Sequence, residues 1–104
     1  MGAELHQLDD AEIAALVTGR TLRADASRAE AVVASYSESF QPGGIVILRY
    51  DRAPKQARYR IEDRTLCIEA AQSPPACRTI HRDRLGNLFQ QHLSGEGLEP
   101  IVIE

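Results

Sequence analysis

The sequence predicts a mainly β (α+β) domain: a short N-terminal helix packed on an antiparallel meander of about 6–8 strands, curled or closed into a small barrel. Three observations carry this. The chain has 104 residues, the length of one domain, 1–104. Its one well-formed helix signal with a start and a stop lies in residues 8–19. From residue 20 onward, short β-rich runs alternate with turn chemistry at close spacing, and nothing after Phe40 could supply the crossover helices of a parallel sheet.

The helix opens at Leu8-Asp9-Asp10-Ala11-Glu12-Ile13. Asp9 can accept from the amide three residues on, while Glu12 reaches back to the Asp9 amide. Leu8 and Ile13 are placed as a hydrophobic staple, and Ile13, Leu16 and Val17 form one apolar stripe. Gly19 suits the left-handed residue that closes a helix. A helix of roughly 9–10 residues is marginal alone, so its stripe must pack on something larger. The acidic pair reads as a cap, not as catalytic carboxylates. Residues 1–7 are expected to lie ahead of the fold, disordered or added before the native start. Met1-Gly2-Ala3-Glu4 lacks the basic and apolar regions of an export signal, and His6 stands where myristoylation needs Ser or Thr.

Turn chemistry falls at Gln41-Pro42-Gly43-Gly44, Arg52-Ala53-Pro54-Lys55, Ser73-Pro74-Pro75, Gly86-Asn87 and Ser94-Gly95-Glu96-Gly97. Between these turns the sequence predicts strands at Ile45–Tyr50, Ala57–Glu62, Leu66–Glu69, Cys77–Arg82, Leu88–Leu93 and Ile101–Ile103. Residues 27–38 carry two patterns. Ser27-Arg28-Ala29-Glu30 is a capping box with Ala29, Val32, Val33 and Tyr36 at helical spacing. Tyr36, Glu38 and Phe40 alternate with serines at the strand period. The strand reading, from about Val32 to Phe40, is preferred.

Composition narrows the function classes. A net charge of −3 gives no bulk attraction to nucleic acid. The longest apolar run, Ile13–Val17, has five residues, against the roughly 18–20 a membrane helix needs. There is no Trp, and five aromatic residues leave little for a stacking platform or an aromatic-lined cofactor pocket. No cofactor is expected.

Cys67 and Cys77 are too far apart for a Cys-x-x-Cys redox or zinc pair. If the two flanking strands form a hairpin about Gln72, the cysteines face each other directly. A non-hydrogen-bonded pair has Cα atoms about 4.5 Å apart, within disulfide range. The alternative is two buried thiols in a reducing compartment. A disulfide instead implies an oxidising one.

The order Leu8-x-x-x-Glu12-Ile13-x-x-Leu16-x-x-Gly19-x-Thr21-Leu22, then Phe40-x-Pro42-x-Gly44, Tyr59-x-Ile61, Leu66-Cys67, Cys77 and Arg82-Asp83-x-x-Gly86 resembles small exported proteobacterial proteins of a domain family of unknown function. The resemblance runs from Leu8 to Gly86. It departs at Tyr59, where that family usually has Trp, and at Gly43, where its turn is usually Pro-Asp-Gly. It implies periplasmic or secreted localisation, with the export signal missing from this sequence, and a paired Cys67–Cys77. It supplies no catalytic residues.

Active-site chemistry is hard to assemble from what is left. His81 faces His92 if Gly86-Asn87 is a two-residue hairpin turn, but two imidazoles are half a metal site at most. No nucleophile elbow or phosphate loop is present, so neither catalytic nor metal-binding residues are expected. Charge is uneven: Arg49 to Arg64 hold six bases and three acids. Arg58 and Arg60 must face outward together if Tyr59 and Ile61 face the core. With Arg49, Arg78 and Arg82 they would form an Arg-rich sheet face able to grip carboxylates or phosphates. The reading is therefore a periplasmic binding or accessory protein, not an enzyme, contacting an anionic protein, polysaccharide or lipid headgroup. The alternative is a lipocalin-like carrier holding a small ligand inside a closed barrel.

Overall fold

The computed structural model describes residues 4–24, 36–49, 53–71, 74–93 and 97–104. The chain runs β1 (His6–Gln7), α1 (Asp10–Val17), β2 (Thr21–Ala24), β3 (Tyr36–Gln41), β4 (Ile45–Arg49), β5 (Lys55–Glu62), β6 (Thr65–Glu69), β7 (Ala76–Arg82), β8 (Leu88–His92) and β9 (Glu99–Ile103). From β2 to β9 each strand pairs antiparallel with the next, and β9 pairs back onto β2. The result is a closed, eight-stranded up-and-down barrel. β1 adds a ninth strand against the end of β7, so His6 and Gln7, expected to lie ahead of the fold, are held in it.

The helix begins as its sequence requires. Asp9 Oδ1 accepts from the Glu12 amide and Glu12 Oε1 from the Asp9 amide, each at 2.9 Å. That amide, and then His6, hold the Glu12 carboxyl below its ordinary value. The C-cap residue, Thr18, is extended, and Gly19 follows at φ 75°. α1 lies across one end of the barrel. Leu8 N donates to Ile80 O on β7, Gly19 N to Phe40 O on β3, and Arg64 N to Asp10 Oδ1. Leu8, Ile13 and Val17 are completely buried in the same core as Leu22, Phe40, Val46, Leu66 and Ile80. The helix therefore plugs this end.

Strand periodicity decides which side chains enter the barrel. Leu22 and Ala24, Val46 and Leu48, Leu66 and Ile68 all point in and are buried. Tyr59 and Ile61 pack against the core from β5, with Tyr59 edge-on to Phe40 at 5.0 Å. Glu38, Arg78 and Gln90 also occupy inward positions.

Three departures from the expected pattern have local causes. Asp63 and Arg64 form a two-residue β5–β6 turn with both φ positive, at 53° and 61°, without glycine. The β7–β8 connection is five residues long, not two, because Asp83 Oδ1 accepts from the amides of Leu85 and Asn87, at 2.9 and 2.8 Å. The longer loop shifts the register, so His81 faces Phe89 and His92 faces Arg78; the His81–His92 pair is not formed. In the ambiguous stretch, residues 36–41 are strand, while residues 25–35 lie outside the described residues.

The β6–β7 register is the expected one. Cys67 lies directly opposite Cys77 with Cα atoms 4.0 Å apart, and the two are joined in a disulfide.

Candidate functional site

The five arginines expected on one face do not converge. Arg58 and Arg60 do share the outer side of β5. Arg60, however, is held in ion pairs by Glu69 and by Glu62, the latter at 3.3 Å. Arg58 lies between Ile45 and Glu69 on the neighbouring strands. Arg49, at the far end of β4, donates to Ser39 Oγ at 3.1 Å. Arg82 sits at the plugged end, paired in register with His6. Arg78 is not on the outer face at all. It shares the inward side of β7 with Ile80 and is 2% exposed.

What surrounds Arg78 is the most unusual chemistry in the molecule. Its Nη1 and Nη2 donate to the two oxygens of Glu38 at 2.6 and 2.9 Å, and Nη1 also donates to Gln90 Oε1 at 2.8 Å. Glu38 and Gln90 are completely buried. The Gln90 amide then donates to Tyr36 OH at 2.7 Å and to Glu99 Oε1 at 2.5 Å. β3 and β7 are four strands apart whichever way the barrel is followed, so Glu38 and Arg78 meet across the lumen. The pair is a charged bridge from wall to wall.

This bridge separates two unlike halves. Toward the helix the lumen holds Phe40, Val46, Leu66 and Ile80. On the other side stand the half-buried Tyr36, Glu99 and His92. The inward residue of β2 in register with Tyr36 is small, Ala24, and Ala57 is a small inward residue of β5; both are buried. The connections also differ between the ends. Those at the helix end have three, two and five residues, whereas those at the other end have eleven, five, six and six. Beside His92 the rim carries an open depression of about 440 Å³ lined by Pro75, Ala76, Cys77 and Leu93.

The electrostatics of this mouth follow from burial. Desolvation first, then the Arg78 guanidinium, press the His92 imidazole below its ordinary value, so it is neutral at pH 7. Desolvation, followed by the Glu38 carboxylate, pushes the Tyr36 phenol up, so it stays a hydroxyl. Glu38 and Arg78 cancel. Among the described half-buried groups around the bridge, Glu99 is then the one net charge, on the wall opposite β5, where the exposed Lys55 stands at the rim.

Sequence reasoning missed Tyr36, Glu38, Gln90, His92 and Glu99. The signal was present in the strand period, since Glu38 falls between Tyr36 and Phe40 on one face and Arg78 two residues before Ile80. Among the described residues, no group of three or more His, Cys, Asp or Glu side chains is arranged to hold a metal ion. No described helix is long and apolar enough to cross a membrane.

The geometry defines a small, disulfide-linked, closed β-barrel with a polar mouth. Compared with known protein families, with curated proteins and with solved structures, the chain matches none.

Proposed function

We propose that this protein is an exported, periplasmic or secreted, binding protein without chemistry of its own, which takes a small ligand at the barrel end opposite the helix. The observation that carries this reading is the cross-lumen Glu38–Arg78 bridge. Burying two charges costs several kcal/mol per ion, by order of magnitude, and an apolar pair of similar volume often does as well or better for stability. A barrel whose other half is packed with Leu, Ile, Val and Phe had that solution at hand. The charged floor therefore supports a role in what the mouth holds. Long connections gathered at one end of a rigid scaffold are where binding residues concentrate. The disulfide supports the compartment. Because the lumen below the bridge is filled, the ligand is held at the mouth and not deep inside as in a wide lipocalin-like cup.

A second reading keeps an anionic partner on the outer wall, favoured by the shared outward side of Arg58 and Arg60. It is the weaker one, since Glu62 and Glu69 already occupy Arg60.

One experiment separates them. Arg78→Met alone leaves Glu38 buried without its counter-charge and should cost about 3–5 kcal/mol in urea unfolding. Glu38→Leu with Arg78→Met should restore or exceed wild-type stability. In thermal-shift screening against small amines, carboxylic acids and sugars, wild type should respond to at least one and the restored double variant to none. Identical responses would remove the mouth from the proposal. Loss of response in Arg58→Glu with Arg60→Glu instead would move the site to the outer wall.

A further inference from the structure

We infer that the barrel mouth selects ligands carrying an organic ammonium group, which docks on the Glu99 carboxylate beside the Tyr36 ring. This deepens the proposed function and rests on the mouth being the binding end. The argument is one of charge and donor accounting. Among the described residues, Arg78 is the only cation inside the lumen at this level, and both of its terminal nitrogens bond to Glu38 or Gln90 at 2.6–2.9 Å. With its charge matched by Glu38 and its side chain 2% exposed, it is a poor anion receptor for a ligand at the mouth. Gln90 is likewise spent, with its carbonyl accepting from Arg78 and its amide donating to Tyr36 and Glu99. That amide fixes Glu99 Oε1, which orients the carboxylate from β9, while the bridge below carries no net charge.

Among the described residues, a ligand arriving from solvent thus meets one negative charge, one phenol and one neutral imidazole, with the small side chain of Ala24 beside Tyr36 on the neighbouring strand. An ammonium group matches this set. It donates to Glu99, gains from the Tyr36 ring face, and is not repelled by His92, which is uncharged at pH 7. A carboxylate or phosphate would face Glu99, with Arg78 paired to Glu38 and, among the described residues, Lys55 exposed on the opposite wall. The same chemistry is offered by a free small amine and by the lysine side chain of a peptide.

The test is amide and side-chain NMR titration of the oxidised, full-length protein with four probes. These are 1,4-diaminobutane, its N,N′-diacetylated form, a blocked Gly-Lys-Gly peptide and butyrate. The diamine or the lysine peptide, whichever source fits better, should shift Tyr36, His92 and Glu99. The diacetylated form and butyrate should leave them in place. Glu99→Gln keeps the Gln90 contact and should weaken the amine response at least tenfold, whereas Glu62→Gln on the outer wall should not. An amine response equal in wild type and Glu99→Gln, or equal for the diamine and its diacetylated form, overturns the ammonium assignment. So does a mouth response to butyrate alone, which leaves the binding end itself standing. Silence at the mouth with every probe overturns both. The diacetylated control needs no variant, so the test holds even if Glu99→Gln folds poorly.

Discussion

At the scale of single residues, the side-chain period of two controls most of what matters here. One residue of displacement would carry Glu38 and Arg78 out of the lumen and make them ordinary surface groups. Their burial also reaches His92, which faces Arg78 across the β7–β8 ladder, and burial alone lowers His81 on the outer side of β7. Both imidazoles take up a proton less readily folded than unfolded. The unfolded chain therefore binds more protons once the pH drops below the ordinary value of 6.5, so this share of stability is whole above that value and is lost on acidification. The carboxyls held low, Glu12 and Asp83, add their loss only from ordinary values of 4.5 and 3.8 downward. Unfolding free energy measured by urea should fall between pH 7 and pH 5, and His81→Gln with His92→Gln should flatten that slope. An unchanged slope in the double variant would assign the loss to other groups.

At the scale of elements, the helix and the hairpins differ in how locally they are specified. α1 has eight residues and carries its own start signal, a reciprocal cap between Asp9 and Glu12, so its position follows from short-range chemistry. Asp9→Ala should cost about 0.5–2 kcal/mol, read as a lower thermal midpoint. The loss should also loosen the plug, because Leu8 and Ile13 flank the cap in the core. A neutral result would mean that tertiary packing alone sets where the helix begins. The hairpins depend on turn length. The β6–β7 register was legible because two cysteines fix it. The β7–β8 register was not, because Asp83 gathers two amides into a five-residue loop that no dipeptide signal announces. Asp63-Arg64 is a similar case: two residues without glycine adopt left-handed backbone, and the Arg64 amide is held by Asp10 of the helix. Only the folded arrangement supplies that partner.

At the scale of the whole molecule, closure and the disulfide act together. β9 returning to β2 removes every long exposed edge, which a twisted eight-stranded sheet of this length would otherwise leave open to another chain. A domain of 104 residues buries a modest core, so a covalent link counts. Cys67 and Cys77 are ten positions apart, and closing so short a loop contributes about 2.5–3 kcal/mol in the chain-entropy account. Cys67→Ala with Cys77→Ala should lower the urea midpoint by the equivalent of that amount. Intact mass of protein kept oxidised throughout should show no thiol open to alkylation. Two reactive thiols in such a sample would remove the support that the disulfide gives to export.

The sequence by itself determined the α+β class, the capped helix, the strand run from Ile45 onward and the facing cysteines. Each of these is written in contacts between residues close along the chain, through caps, periods and turns. Which end of the barrel is plugged, and what crosses its lumen, were decided only by the tertiary structure. Glu38 and Arg78 are forty positions apart and meet because β3 and β7 come to stand opposite each other when the sheet closes. Local pattern assigns each to a face of its strand. It carries no information about the strand that face will look upon, because that partner is set by strand number and closure. For the same reason five arginines that read as one charged surface are dispersed, three of them around the outer wall, one to the helix end and one to the centre of the barrel.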